Sequence, residues 1–167
     1  MKKALIFSDS HGRLDNLLEV LKRQRDFEAV FHMGDIMEDA DRLRRATPYP
    51  VYLVRGNCDY DGRLPVQIVT EFGGKRIGLC HGHRYLNYSG IDGLRYWALE
   101  QGVDIAMFGH THVPYLDRSA RPILLNPGSI SRPRQEKKIP TYTVMKIRDD
   151  GEVDFEMCEF SSMPPLS

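Results

Sequence analysis

A chain of 167 residues carrying 23 basic and 23 acidic side chains, with a pI near 7.0, is long enough to fold as one domain and to bury roughly 70% of its unfolded surface without staples. The balanced charge lacks the basic footprint of a duplex-binding protein, so no duplex nucleic acid is expected as a partner, while nucleotides and short single strands stay admissible as substrates. Three cysteines, Cys58, Cys80 and Cys158, show no CxxC spacing and leave one unpaired under any single disulfide, which points to a reducing, cytoplasmic compartment.

Met1-Lys2-Lys3 resembles the start of a signal peptide, but the apolar run Ala4 to Phe7 stops at Ser8-Asp9-Ser10-His11 and reads as a first strand over residues 3–8. No window approaches a membrane span. Leu14, Leu17, Leu18 and Leu21 then recur at helical spacing, with Glu19 and Arg23 paired on the outer face. Ala29–His32 is a second strand, a short polar helix covers Glu38–Arg45, and Val51–Val54 is a third strand. This β-α-β-α-β order predicts a parallel sheet.

The rhythm then changes. Val66–Phe72 and Arg76–Cys80 flank Gly73-Gly74 and predict a hairpin. A helix over Asp92–Gln101 precedes a buried strand over Val103–Phe108. Short strands follow near Tyr115–Arg118, Ile123–Leu125, Thr141–Ile147 and Val153–Phe160, with a turn at Asp149-Asp150-Gly151. Residues 1–160 are expected to form a single domain of two packed sheets with helices outside, and 161–167 a fraying tail.

Five short signals follow predicted strands in a fixed order: Asp9-Ser10-His11, Gly34-Asp35, Gly56-Asn57-Cys58-Asp59, His81-Gly82-His83 and Gly109-His110-Thr111-His112. Open α/β sheets place their ligands past the carboxyl ends of strands. With His83 and Asp59 set aside, these signals offer four imidazoles, two carboxylates and one amide, a set suited to two divalent metals sharing one ligand. Two nearby cations need a bridging anion, and Asp35, after Gly34, is the candidate. Asp9 and His11 can converge on one ion, Asn57 adds a neutral oxygen, and His81, His110 and His112 complete the shells. His110 and His112 are expected to alternate along an extended segment and so to face different ions.

Less specific features have plainer readings. Asp9 alone would be a turn or helix-start residue. His32, inside a strand, is a packed or hydrogen-bonded histidine. Cys80 and Cys158 are small apolar core residues, Trp97 and Tyr96 are core and edge, and Arg42, Arg44 and Arg45 form a solvated helix face. Asn126-Pro127-Gly128-Ser129 is a turn.

In these five motifs the sequence resembles the calcineurin-like metallophosphoesterase superfamily, and within it the small single-domain prokaryotic phosphodiesterases related to a eukaryotic retromer scaffold subunit. The resemblance spans residues 5 to 112 and implies an α/β fold, a four-layer α-β-β-α sandwich of two mixed sheets flanked by helices. It further implies one metal held by Asp9, His11, Asp35 and His112 and a second held by Asp35, Asn57, His81 and His110. Mixed nitrogen and oxygen shells suit Mn, with Ni, Fe, Co or Zn as alternatives.

The expected activity is dinuclear metal-dependent phosphodiester hydrolysis of a small phosphoester, a nucleotide among the options, by a metal-bridging hydroxide attacking phosphorus in line. Asn57, Cys58, Asp59 and His81 are the expected catalytic residues. Where many relatives carry a histidine that protonates the leaving group, this chain has Cys58, a poorer acid; Asp59 would orient it or a metal-bound water. Arg13, Arg55, His83 and Arg84 are candidate substrate contacts. A phosphomonoesterase and a non-catalytic protein-binding scaffold are the alternatives, and a homo-oligomer is compatible with either.

Overall fold

The computed structural model describes residues 1–86 and 89–161; the expected tail, beyond Ser161, lies outside the described residues. The first sheet contains β1 (Lys2–Phe7), β2 (Ala29–His32), β3 (Val51–Leu53), β9 (Thr141–Ile147) and β10 (Val153–Glu159) in the order β10-β9-β1-β2-β3. β1, β2 and β3 run parallel, with Ala4 opposite Ala29 and Val30 opposite Val51, and β9 joins β1 antiparallel. The second sheet contains β4 (Gln67–Phe72), β5 (Lys75–Cys80), β6 (Ile105–Met107), β7 (Pro114–Asp117) and β8 (Ile123–Pro127) in the order β4-β5-β6-β8-β7. The expected hairpin pairs Phe72 with Lys75 across Gly73-Gly74.

Strand alternation explains the layers. In β1, Ala4 and Ile6 face the second sheet and pack with Phe31, Ile77, Leu79, Ile105, Met107 and Met145 in the inter-sheet core. Leu5 and Phe7 face outward and pack under the helix α1 (Asp15–Arg23) with Leu17 and Leu21, and under α2 (Ala40–Arg45) with Leu43. On the far side, α3 (Ile91–Gln101) lays Leu94, Trp97 and Ala98 on Ala106 and Leu124 of the second sheet. Both faces of each sheet are covered, which is why all four residues Ala4–Phe7 are buried rather than alternating with exposed ones. The arrangement is the expected four-layer sandwich.

Local expectations hold with small shifts. Glu19 and Arg23 form an ion pair at 2.8 Å along α1. The short polar helix opens as a 3-10 turn over Met37–Asp39 before α2. β3 ends one residue before Val54, and β6 is three residues long where six were expected. α3 stops at Gly102, whose φ of 63° is the left-handed cap that glycine adopts without steric cost. Among the described residues, no helix is long and apolar enough to cross a membrane.

Candidate metal centre

Both sheets deliver polar side chains at the same edge. The carboxyl ends of β1, β2 and β3 lead into Asp9–His11, Gly34-Asp35 and Gly56–Asp59; those of β5 and β6 lead into His81–His83 and His110–His112. Five of the seven candidate ligands have left-handed backbones: Asp9 (φ 54°), His11 (47°), Asp35 (56°), His110 (70°) and His112 (59°). Asp and His tolerate this region better than most residues, yet each instance costs about 1–2 kcal/mol. Such strain persists only where surrounding structure enforces it. It also corrects one expectation: His110 and His112 do not alternate along an extended segment but each has a positive φ in an irregular bend.

Gly34 lets two loops approach closely, because a Cβ there would lie 2.6 Å from the Gly56 nitrogen. The loops after β2 and β3 can touch only without it.

Asp9, His11, Asp35, His81 and His112 converge. His11 Nε2 and His112 Nε2 are 3.0 Å apart. Asp9 Oδ1 lies 3.2 Å from His112 Nε2, 3.6 Å from His11 Nε2 and 3.8 Å from His81 Nε2. Asp35 Oδ2 lies 3.2 Å from His81 Nε2 and 3.5 Å from His11 Nε2. Asp35 therefore stands between the imidazoles of both sheets. His110 sits at the outer rim, with Nδ1 3.1 Å from Asn57 Oδ1 and its ring 5.2 Å from that of His81.

The hydrogen bonds fix tautomers. His112 Nδ1 lies 2.6 Å from the Arg132 carbonyl, and His81 Nδ1 lies 2.7 Å from the Met33 carbonyl. A carbonyl only accepts, so Nδ1 carries a proton and Nε2 is the atom that faces the cluster; burial opposes a second proton there, while Asp35 and Asp9 favour one on His81. His81 Nε2 and Asp9 Oδ1 are buried without a hydrogen-bond partner despite their close neighbours. Buried donors and acceptors left without a well-formed hydrogen bond are unfavourable as they stand. A divalent cation among them satisfies all of them, and the nitrogen and oxygen donor set fits one.

Charge distribution agrees. Burial alone would raise the Asp9 carboxyl, but His11, His112, His81 and Ser8 together hold it well below the usual carboxylate range. Burial also opposes ionisation of Asp35, and His81 with the Cys58 N–H more than offsets it. Burial lowers His110 and His83, reinforced in each by the nearby charge of His81.

The expected catalytic residues divide. Cys58 lies beside the cluster: its N–H donates to Asp35 Oδ1 at 2.8 Å, and its thiol falls with His11 and Asp35 in a group of converging atoms. Burial and then Asp35 push this thiol up, so it keeps its proton at neutral pH. Asp59 makes no hydrogen bond to the Cys58 thiol among the described residues. Its Oδ2 accepts from the Asp35 and Gly56 N–H groups, both at 2.8 Å, and its Oδ1 from the Met37 N–H at 2.7 Å. Asp59 is a clamp between two loops, because backbone amides outcompete a thiol for a buried carboxylate. His83 lies behind His81, ring centres 5.4 Å apart. Arg13 and Arg84 are exposed and Arg55 is half-buried. Among the described residues none of these three guanidinium groups bonds to the cluster.

Several residues that support the site carry no motif. The Asn126–Ser129 segment begins as the end of β8 rather than as a free turn. Asn126 Nδ2 donates to the Gly109 carbonyl at 2.9 Å, and Ser129 Oγ to the Asp9 carbonyl at 2.7 Å. Ser131 Oγ donates to the Ser10 carbonyl at 2.7 Å, and the Arg134 N–H to the His112 carbonyl at 3.1 Å. The charge of Arg134 is also felt at His110. His32 is fully buried, as a packed histidine should be: Nδ1 accepts from the Gly34 N–H at 3.1 Å, so Nε2–H points at Ser10 Oγ, 3.0 Å away. One neutral imidazole thus ties the Asp9–His11 loop to the Gly34-Asp35 loop. Its only sequence signal was a polar residue inside a buried strand.

Two back-to-back sheets that gather buried carboxylates and imidazoles at their common strand ends are the architecture of a metallophosphoesterase. The chain belongs to the calcineurin-like phosphoesterase superfamily, whose domain matches residues 1–150. It is 32% identical over 148 residues to the probable metallophosphoesterase YsnB of Bacillus subtilis, covering 88% of this chain and 85% of that one. It is 36% identical over 152 residues to a probable metallophosphoesterase of Methanothermobacter thermautotrophicus, covering 88% and 86%. A predicted phosphoesterase from Streptococcus pneumoniae superposes with a TM-score of 0.78 at 32% identity, over 95% of this chain and 97% of that one. The fold is also shared with a Vps29 from Entamoeba histolytica (TM-score 0.77, 24% identity, 95% and 99% covered) and with an archaeal phosphodiesterase (TM-score 0.74, 20% identity, 93% and 99% covered).

Proposed function

We propose that the protein is a metal-dependent phosphodiesterase acting on a small phosphoester. Asp9, His11, Asp35 and His112 hold one divalent cation, and Asp35, Asn57, His81 and His110 hold the second. Mn is the first choice, with Ni, Fe, Co or Zn as alternatives. The observation that carries the reading is the pair of inward-facing Nε2 atoms on His81 and His112, each 3.2 Å from a carboxylate oxygen, of Asp35 and Asp9 respectively. Bound cations supply the Lewis acidity that makes a nucleophile from water near neutral pH and offsets charge at the phosphoryl group.

The protein residues do the rest. Asp35 spans both sites from a loop clamped by Asp59. The carbonyls of Met33 and Arg132 hold the His81 and His112 rings in their donor tautomers. The Cys58 thiol, beside Asp35, keeps a proton that it can pass to a departing oxygen. The family membership supports hydrolysis of phosphoesters, and the shared fold with a phosphodiesterase supports the diester over the monoester.

The test is hydrolysis of bis(p-nitrophenyl) phosphate and p-nitrophenyl phosphate by protein stripped of metal and then given Mn2+, beside a His81→Ala control. Metal-dependent diester turnover, with a bound-metal count of two per chain, is expected. Preference for the monoester would reassign the substrate class. Turnover with no metal would remove the metal-dependent mechanism, and none with any of the five metals would remove the enzyme reading in favour of a binding scaffold.

A further inference from the structure

A cavity of about 410 Å3, lined by Met37, Glu38, Asp41, Tyr60, Asp61 and Arg63, is built on the segments that follow Asp35 and Asn57 in the chain. Its volume lies within the usual range of small-molecule sites. Its walls continue the loops that form the centre. Met37 is two residues beyond Asp35, and its side chain stands 3.8 Å from the place a Cβ on Gly12, next to His11, would occupy. Tyr60 is two residues beyond Cys58. The Met37 N–H bonds Asp59 Oδ1 at 2.7 Å, so the two walls are pinned together through the clamp already described.

Tyr60 is the most exposed large hydrophobic side chain among the described residues, at 94%. It makes no ring contact and no side-chain hydrogen bond there. Packing therefore gives no reason for an aromatic ring at this point. The loop that carries it is closed by backbone hydrogen bonds: the Arg55 N–H bonds the Pro65 carbonyl at 2.8 Å and the Leu64 N–H bonds the Asp61 carbonyl at 3.2 Å. An uncovered aromatic face at the mouth of a cavity is a ready stacking surface.

The rim selects by charge. Glu38, Asp41 and Asp61 face a single cation, Arg63, which is engaged by Asp61 at 2.8 Å and lies 3.6 Å from Asp41. The net negative rim disfavours an anionic substituent such as a second phosphate or a carboxylate.

We propose that this cavity receives the uncharged aromatic part of the substrate, a nucleobase stacked on Tyr60, while the attached phosphorus lies at the metal centre. The inference rests on the phosphoesterase reading and narrows its substrate to nucleoside phosphoesters.

Calorimetric titration of the Mn2+-loaded protein with adenosine 5′-monophosphate and with ribose 5-phosphate tests it, because the two ligands differ only in the base. Base stacking on an aromatic side chain corresponds to roughly tenfold in affinity or more. The wild type and Tyr60→Phe should prefer the nucleotide by that factor, and Tyr60→Ala should lose most of the preference. Tyr60 buries nothing, so the substitution leaves the fold intact. Equal affinities in the wild type, or a preference undiminished in Tyr60→Ala, would overturn the proposal. Bis(p-nitrophenyl) phosphate turnover, measured beside it, separates the two ideas. Turnover without base preference removes only the cavity's role; base preference without turnover removes only the catalytic reading.

Discussion

The carboxylate of Asp59 accepts the backbone N–H of Asp35 at 2.8 Å. A residue read from sequence as part of the catalytic machinery thus holds the residue that stands between the two groups of imidazoles. Asp59→Ala would leave the amides of Asp35, Gly56 and Met37 without their acceptor. Each buried unsatisfied amide costs about 1–3 kcal/mol, so a loss of roughly 3 kcal/mol or more in denaturant unfolding is expected. Metal affinity should fall about 10–100-fold, as for other groups that orient a ligand from behind. Unchanged metal affinity in a folded Asp59→Ala or Asp59→Asn protein would contradict this role.

Metal itself should stabilise the fold. With Mn2+ at about 100 times its Kd, stability should rise by about 2.7 kcal/mol per site, read as a concentration-dependent increase in Tm. Asp35→Asn removes the shared carboxylate and should abolish most of that increase.

Gly109 lies against Asp9 across the two sheets. A Cβ there would fall 2.0 Å from Ser8 Oγ and 2.6 Å from Asp9 Oδ2. Gly109→Ala should cost about 1–3 kcal/mol through overpacking and should weaken metal binding by displacing the Asp9 carboxylate. Calorimetry of the variant reads both effects.

His32 gives the fold an acid limit. Burial, with Asp9 pulling the other way, lowers it from 6.5 to about 4. Between those values the unfolded chain takes up a proton that the folded chain refuses. This contribution to stability is therefore lost as the pH falls from 6.5 towards 4, by at most about 3 kcal/mol. His32→Gln keeps one donor and one acceptor and should flatten the pH dependence of unfolding in that window. An unaltered profile would show that other groups set it.

Cys58 makes a testable mark on catalysis. A thiol is a weaker acid than imidazolium by about two units, so esters with acidic leaving groups should turn over well and alkoxide leaving groups slowly. Cys58→His should reduce the dependence of kcat on leaving-group pKa. A dependence that is flat in the wild type, or identical in the two proteins, would exclude proton donation by this side chain.

Much of the fold was legible because its patterns are local. The 3.6-residue spacing of Leu14, Leu17 and Leu21 marked α1, and continuous apolar runs marked β1 and β2 as strands covered on both faces. The donors were legible because each follows such a strand. The supports were not. Ser129 acts on Asp9 across 120 residues of chain, and nothing about a serine after a turn announces that partner. The backbone partners of Asp59 are hidden for the related reason that a carboxylate next to a cysteine gives no sign of which amides will surround it.

The order of the motifs determined which residue types would meet at the strand ends, since strand direction and alternation follow from hydrophobic period. Only the packing of the two sheets decided how they meet: which imidazole nitrogen carries a proton, which carboxylate faces both groups of ligands, and where Tyr60 is left uncovered. Those outcomes depend on distances between segments far apart in the chain, and such distances exist only once the inter-sheet core of Ile6, Phe31, Leu79 and Met107 has closed.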